Sequence, residues 1–186
     1  MAYLIQVWRL TCHLWLQDCT SCLLTTVSRD ILEKLSFSRP VTLNHEYFMN
    51  KAIQEAQYAF DRGEIPIGAV IVLDDQIIAR SHNLTETLND VTAHAEMQAI
   101  TAAANFLGAK YLNQCTLYVT LEPCPMCMGA LFWSQIGSVV YGAKETRHQF
   151  NTPSAYHPKT KVLGGVLENV SEKLIQRFFE LKRSLN

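Results

Sequence analysis

Apolar and polar positions change period several times along this chain, and each change marks an element. From Asn44 onward, Tyr47, Phe48, Ala52, Ile53, Ala56, Ala59 and Phe60 recur at helical spacing up to a stop at Gly63. Ile67 to Leu73 and Gln76 to Ala79 are β-rich runs on either side of Asp74-Asp75, which predicts a hairpin with a tight turn. A polar connection through Asn83 and Asn89-Asp90 leads to a second helix. It is expected to open with Thr92 as N-cap, run through Met97, Ile100 and Ala104, and end at Gly108. Cys115 to Thr120 reads as a strand, Met128 to Ile136 as a helix, and Ser138 to Tyr141 as a strand. Strand, helix, strand is a βαβ unit, so these two strands should be parallel. A loop from Lys144 to Lys159 precedes a fifth strand over Lys161 to Val166. Ser171 is then expected to cap a last helix with Leu174, Ile175, Phe178, Phe179 and Leu181 on its apolar side. Together these elements predict a three-layer α/β/α sandwich around a mixed five-stranded sheet.

Residues 1–42 do not share this patterning. Trp8, Trp15 and three cysteines are interspersed with Arg9, Asp18 and Arg29, so no apolar stretch reaches the roughly 18 to 20 residues of a membrane span. A charged start followed by a clean apolar segment and a small-residue cleavage site is also missing. The expectation is an N-terminal extension, disordered or arising from a mis-assigned start, ahead of one domain over residues 43–186. A hydrophobic content of 48% with 18% charged residues suits one good core. The net charge of -1 points to neither a nucleic-acid binder nor a membrane-surface protein. Its distribution says more: Lys144 to Arg183 holds eight Lys and Arg against four acids. That fits a solvated helix face with ordinary ion pairs, or a surface that contacts phosphates. The cysteine usage favours a reducing, cytoplasmic setting over a disulfide framework.

Two short stretches carry the candidate chemistry, His94-Ala95-Glu96 and Pro123-Cys124-Pro125-Met126-Cys127. One imidazole, two thiolates at C-x-x-C spacing and a spare carboxylate suit a catalytic zinc site, which keeps three protein ligands and a fourth position for water. Water on zinc loses a proton near pH 7. Glu96 is the group to take that proton and pass it to a leaving group. Attack on a ring carbon bearing an exocyclic amine, followed by that transfer, is hydrolytic deamination, and H-x-E…P-C-x-x-C is the signature of zinc deaminases acting on nucleobases. Residues two apart on a helix point about 200° apart, so His94 and Glu96 can converge only at an open first turn. Pro123 and Pro125 likewise put the cysteines at a helix start. Two helix N-termini facing one metal favour thiolates electrostatically.

With these residues in place, the sequence resembles the cytidine deaminase-like superfamily and, within it, the bacterial tRNA adenosine deaminases of the TadA type. The resemblance covers about Leu43 to Arg183. It is carried by Gly63-Glu-Ile-Pro-Ile-Gly-Ala-Val70, by Asp90 with Thr92-Ala-His-Ala-Glu96, by Leu117-Tyr-Val-Thr-Leu-Glu-Pro-Cys-Pro-Met-Cys127, and by Phe178-Phe179 with Lys182-Arg183. It implies one zinc ion per subunit on His94, Cys124 and Cys127, with Glu96 as proton shuttle. It also implies substrate contacts at Asn83 and Glu64 and from the backbone around Ala95 and Pro123. Adenosine at the wobble position of tRNA is then the expected substrate, the tRNA anticodon arm the expected partner, and a homodimer the expected assembly, with no membrane partner. The chain departs from the family after Lys144. Glu145 stands where an Asp is usual, and Arg147 to Ser154 is shorter and lacks the usual glycines. That keeps a deaminase of free guanine, cytosine or a related nucleoside as the alternative, and a non-catalytic zinc or RNA-binding module as a more distant one.

Overall fold

The computed structural model describes residues 44–145 and 156–184, so the expectations for residues 1–42 and for loop positions 146–155 fall outside them. Helix α1 (His45–Asp61) starts at Asn44, whose side chain accepts the Tyr47 N–H. It buries Phe48, Met49, Ala52, Ala56 and Ala59 along one stripe. β1 (Gly68–Leu73) and β2 (Gln76–His82) form the expected hairpin. Asp74 and Asp75 both have positive φ, 48° and 60°, the two-residue turn geometry that matches the twist of the flanking strands. β2 runs past Ala79 to His82 and so delivers Asn83 to the sheet edge.

α2 (Ala95–Leu107) ends at Gly108 in the left-handed conformation, φ 60°. β3 (Thr116–Leu121), α3 (Pro125–Trp133) and β4 (Ser138–Ala143) make the βαβ unit, and β3 and β4 pair in parallel, Thr116 beside Ser138 and Leu121 beside Ala143. α3 stops short of Ile136 because Gln135, at φ 51°, turns the chain so that Ile136 enters the core.

The last two elements differ from expectation. β5 (Lys161–Leu163) does not reach Val166: the chain passes into Gly164 and Gly165, the latter at φ 86°. α4 (Glu168–Ser184) begins before Ser171, which is therefore not its cap. Ser171 lies 1% exposed under Gly142, where a Cβ would stand 2.5 Å from its hydroxyl. Leu181 is 47% exposed rather than packed, because the whole final turn of α4 faces outward.

The sheet order is β2-β1-β3-β4-β5, antiparallel at β2/β1 and β1/β3, parallel at β3/β4 and β4/β5. Alternation along β1 sends Ala69 and Ile71 to one face with α2 and α3, and Val70 and Val72 to the other with α1. The fold is thus the three-layer α/β/α sandwich with a mixed five-stranded sheet. Among the described residues no helix is long and apolar enough to cross a membrane.

Gly68 sets the closeness of the first two layers. A Cβ there would lie 2.1 Å from the Ala52 carbonyl oxygen and 2.3 Å from the Ala56 nitrogen, both rigid helix backbone. Gly68→Ala should therefore destabilise the protein by about 3 kcal/mol, the upper end for an overpacked core. Urea unfolding checks this, and a midpoint equal to that of the unsubstituted protein would contradict it.

Candidate metal centre and catalytic cavity

The site is built from two helix starts. Asp90 Oδ1 accepts the Thr92 N–H at 2.8 Å and its hydroxyl at 2.7 Å, while Ala93 N–H returns to Asp90 O and His94 N–H to Thr92 O. These turns engage Thr92, so the N-cap of α2 is His94 rather than Thr92. His94 is extended, φ -69° and ψ 155°, and its side chain makes no cap bond. At the second start Cys124 is the N-cap, again without a side-chain cap bond, and Pro125 takes the first turn, where its missing N–H costs nothing. Cys127 then lies on the same first turn of α3.

The two starts converge. His94 Nδ1 is 3.6 Å from Cys124 Sγ and 3.5 Å from Cys127 Sγ, and the three ligand atoms all lie within 4.8 Å of one another. Tetrahedral zinc with Zn–N near 2.05 Å and Zn–S near 2.3 Å requires an N···S separation of about 3.6 Å. Both N···S separations therefore match those a tetrahedral zinc requires. Glu96 supports the same conclusion. It is 4% exposed, and its Oε2 is buried with no hydrogen-bond partner, an orphan that a ligand in the site would satisfy. Burial pushes its carboxyl up to about 7, with its own backbone N–H and the His94 charge opposing. Cys124 is driven the other way, down to about 4, by the hydrogen bond from the Cys127 thiol and, next among the lowering causes, that from His94. A thiolate is thus favoured at one of the two sulfurs before any metal binds. Cys115 takes no part: it packs with Leu112, Leu117 and Val119 at the other end of β3.

Beside these groups opens a cavity of about 400 Å³, lined by His94, Glu96 and Cys124 among others. Asn83 also lines it. Its Nδ2 donates to Glu64 Oε2 at 3.2 Å and to Thr85 Oγ1 at 2.9 Å, which leaves the amide oxygen to accept from a ligand. Glu64 is fully buried one layer behind. Its carboxylate accepts Asn83, the Thr85 hydroxyl and the N–H groups of Glu86 and Thr87. Burial alone would raise its pKa, but these bonds, Thr87 foremost, hold it below the ordinary 4.5. Ala95 and Pro123 are buried and, like Glu64 and Cys127, are not on the cavity wall.

The wall contributed by α4 was not foreseen. Glu172, Ile175, Gln176 and Phe179, spaced i, i+3, i+4, i+7, face the cavity. The signal was present, since Glu172 and Gln176 interrupt an otherwise apolar side. Glu122 and Glu145 line the cavity too, and Glu145 N–H donates to Glu122 Oε2. Glu96, Glu122, Glu145 and Glu172 thus meet one lysine, Lys144, among the lining residues. Such a wall disfavours phosphate and suits a neutral ligand rich in N–H and O–H donors.

Residues 42–143 match the family model described as the cytidine and deoxycytidylate deaminase zinc-binding region. The tRNA-specific adenosine deaminase of Aquifex aeolicus is 43% identical over 151 residues, covering 77% of this chain and 99% of the relative. A solved structure from work on A-to-I editing by tRNA:A34 deaminases at the wobble position of transfer RNA is 43% identical, with a TM-score of 0.64 over 69% of this chain and 98% of that one. A guanine deaminase from Bacillus subtilis is 37% identical, with a TM-score of 0.54 over 72% of this chain and 94% of that one.

Two outcomes are expected from this geometry. Cys127→Ala should purify with at most about a tenth of the zinc of the unsubstituted protein, whereas Glu96→Gln should keep all of it; elemental analysis checks this, and equal zinc in both would contradict the ligand set. Ionised Glu64 contributes stability that is complete above its unfolded value near 4.5 and lost as pH falls through its lower folded value. Glu64→Gln should therefore lose less stability than the unsubstituted protein between pH 5 and pH 3 in urea titrations; parallel losses would contradict it.

Proposed function

The chain belongs to the cytidine and deoxycytidylate deaminase family of zinc enzymes, and from that premise we propose that it converts adenosine to inosine at the wobble position of tRNA. The observation that carries the reading is the unpartnered Oε2 of the Glu96 carboxyl beside a three-ligand metal set, open to a cavity sized for one nucleoside. The likeness over nearly the full length of a tRNA-specific adenosine deaminase supports the substrate.

His94, Cys124 and Cys127 would hold the zinc. Zinc bound there supplies Lewis acidity and a water whose pKa falls to near neutrality. Glu96, at the cavity wall, takes a proton from the attacking water and delivers it to the departing amine, so that adenosine and water become inosine and ammonia. The raised carboxyl pKa suits a group that must both accept and donate near neutral pH. Asn83 accepts a donor of the bound nucleoside through its free amide oxygen, and Glu64 fixes that orientation from behind. The Ala95 and Pro123 backbone steadies the ligand-bearing turns. A cavity of about 400 Å³ admits a base and its ribose but no duplex, so the wobble base must leave its stack.

The remaining parts of this reading are an anticodon arm as partner, a cytoplasmic setting, and a deaminase domain over residues 43–186 preceded by an extension. A homodimer completes it. Phe106 on α2 and Trp133 on α3 stand 68% and 78% exposed on helices that pack together, an apolar surface suited to a second subunit. The second reading, deamination of a free base such as guanine, is favoured by the four carboxylates in the cavity and by the likeness to the guanine deaminase.

An anticodon stem-loop with adenosine at the wobble position should yield inosine with the zinc-loaded protein and none with Glu96→Ala, by mass-spectrometric nucleoside analysis. Conversion of free guanine or cytosine with no inosine in RNA would select the second reading instead.

A further inference from the structure

The described residues line a second, half-open cavity of about 300 Å³. Thr116 and Ser138, the first residues of β3 and β4, line it, whereas Leu121 and Ala143, at the far ends of the same strands, line or border the catalytic cavity. Five strand steps of about 3.3 Å put the two roughly 17 Å apart. Their charges are opposite. Among the described residues the second cavity is lined by His157, Lys159 and Lys161 with the carboxamides of Asn113, Gln114 and Gln135, and by no Asp or Glu. The described ion pairs join Glu55 to Arg80 and His82, and none involves these three residues.

The turn that carries the basic residues is pinned to the start of β4. Lys161 N–H donates to Gly137 O at 3.0 Å, Thr160 Oγ1 donates to Ile136 O at 2.6 Å, and Thr160 N–H donates to His157 O at 2.8 Å. Lys159 N–H donates to His157 Nδ1 at 3.3 Å. That nitrogen is therefore the acceptor, and Nε2 carries the ring proton whatever the charge state. The Phe132 ring, 5.5 Å from the imidazole centroid, holds it in place. Two lysines and a fixed N–H donor thus line one polar hollow whose described lining residues include no carboxylate, and a bound anion relieves the repulsion between the lysines. The volume, the liquid share of roughly ten waters, exceeds what a carboxylate fills and suits a phosphate with something attached.

We propose that this hollow binds a phosphate group, held by Lys159, Lys161 and His157 Nε2–H and completed by the carboxamides. The site is independent of the deaminase reading. The phosphate comes either from the backbone of a bound RNA or from a free phosphate or phosphate ester in solution.

The test uses the full-length, zinc-loaded protein in two arms. In the first, inorganic phosphate is titrated in and amide resonances of residues 113–116, 135–138 and 157–161 are followed. They should move together and saturate, and Lys159→Gln with Lys161→Gln should weaken binding about tenfold or more, while Arg at both positions restores it. Both lysines are exposed, so the folded state survives substitution, and an unchanged thermal midpoint checks this. In the second arm, anticodon stem-loop affinity is measured against salt, and the Gln variant should reduce the slope by about one if the phosphate is carried on RNA. A loss in either arm supports the site and names its source. No localised resonance shifts together with an unchanged salt slope would overturn it.

Discussion

The structure depends on the convergence of two helix N-termini at one point beyond the carboxyl end of β3. A helix start offers unpaired N–H groups and partial positive charge, and its N-cap side chain ordinarily satisfies one of those groups. His94 and Cys124 both occupy N-cap positions and neither caps. Each helix forgoes about 1 kcal/mol of capping stability, and in return the two side chains are turned toward each other and toward Cys127. The rest of the local architecture serves that arrangement. The Asp90 turn aims α2, Pro125 begins α3 without an N–H to satisfy, and the parallel β3/β4 pair sets where both helices can lie.

The cavity beside this point is acidic where the opposite edge of the sheet is basic. Glu122, Glu145 and Glu172 surround the catalytic cavity, while His157, Lys159 and Lys161 gather near the strand starts. A near-neutral net charge conceals this division. The carboxylates disfavour a phosphate in the reacting pocket, and the basic hollow is where we propose that one binds.

Periodicity made the sheet, the hairpin and the βαβ unit legible, because alternation in β1 and the apolar run of α3 each obey one period over a long enough stretch. The spacing of His94, Glu96, Cys124 and Cys127 made a shared site at helix starts legible for a steric reason. The errors arose where a side chain had two possible uses. Thr92 and Ser171 have capping chemistry, but Asp90 takes the first and burial under Gly142 takes the second. For Glu64 the resemblance implies a substrate contact, and only the fold shows it fully buried behind Asn83 with four donors around its carboxylate. The cavity wall on α4 was hidden because Ile175 and Phe179 look like core when no partner layer is known.

The central claim is that the metal centre has three protein ligands and a fourth position left for reaction, rather than four structural ligands. X-ray absorption at the zinc edge of the metal-loaded protein tests this most directly. The account predicts two sulfurs near 2.3 Å and two nitrogen or oxygen neighbours near 2.0 Å, one of them with the outer-shell scattering of a single imidazole. A third sulfur in the first shell, or a second imidazole, would contradict it.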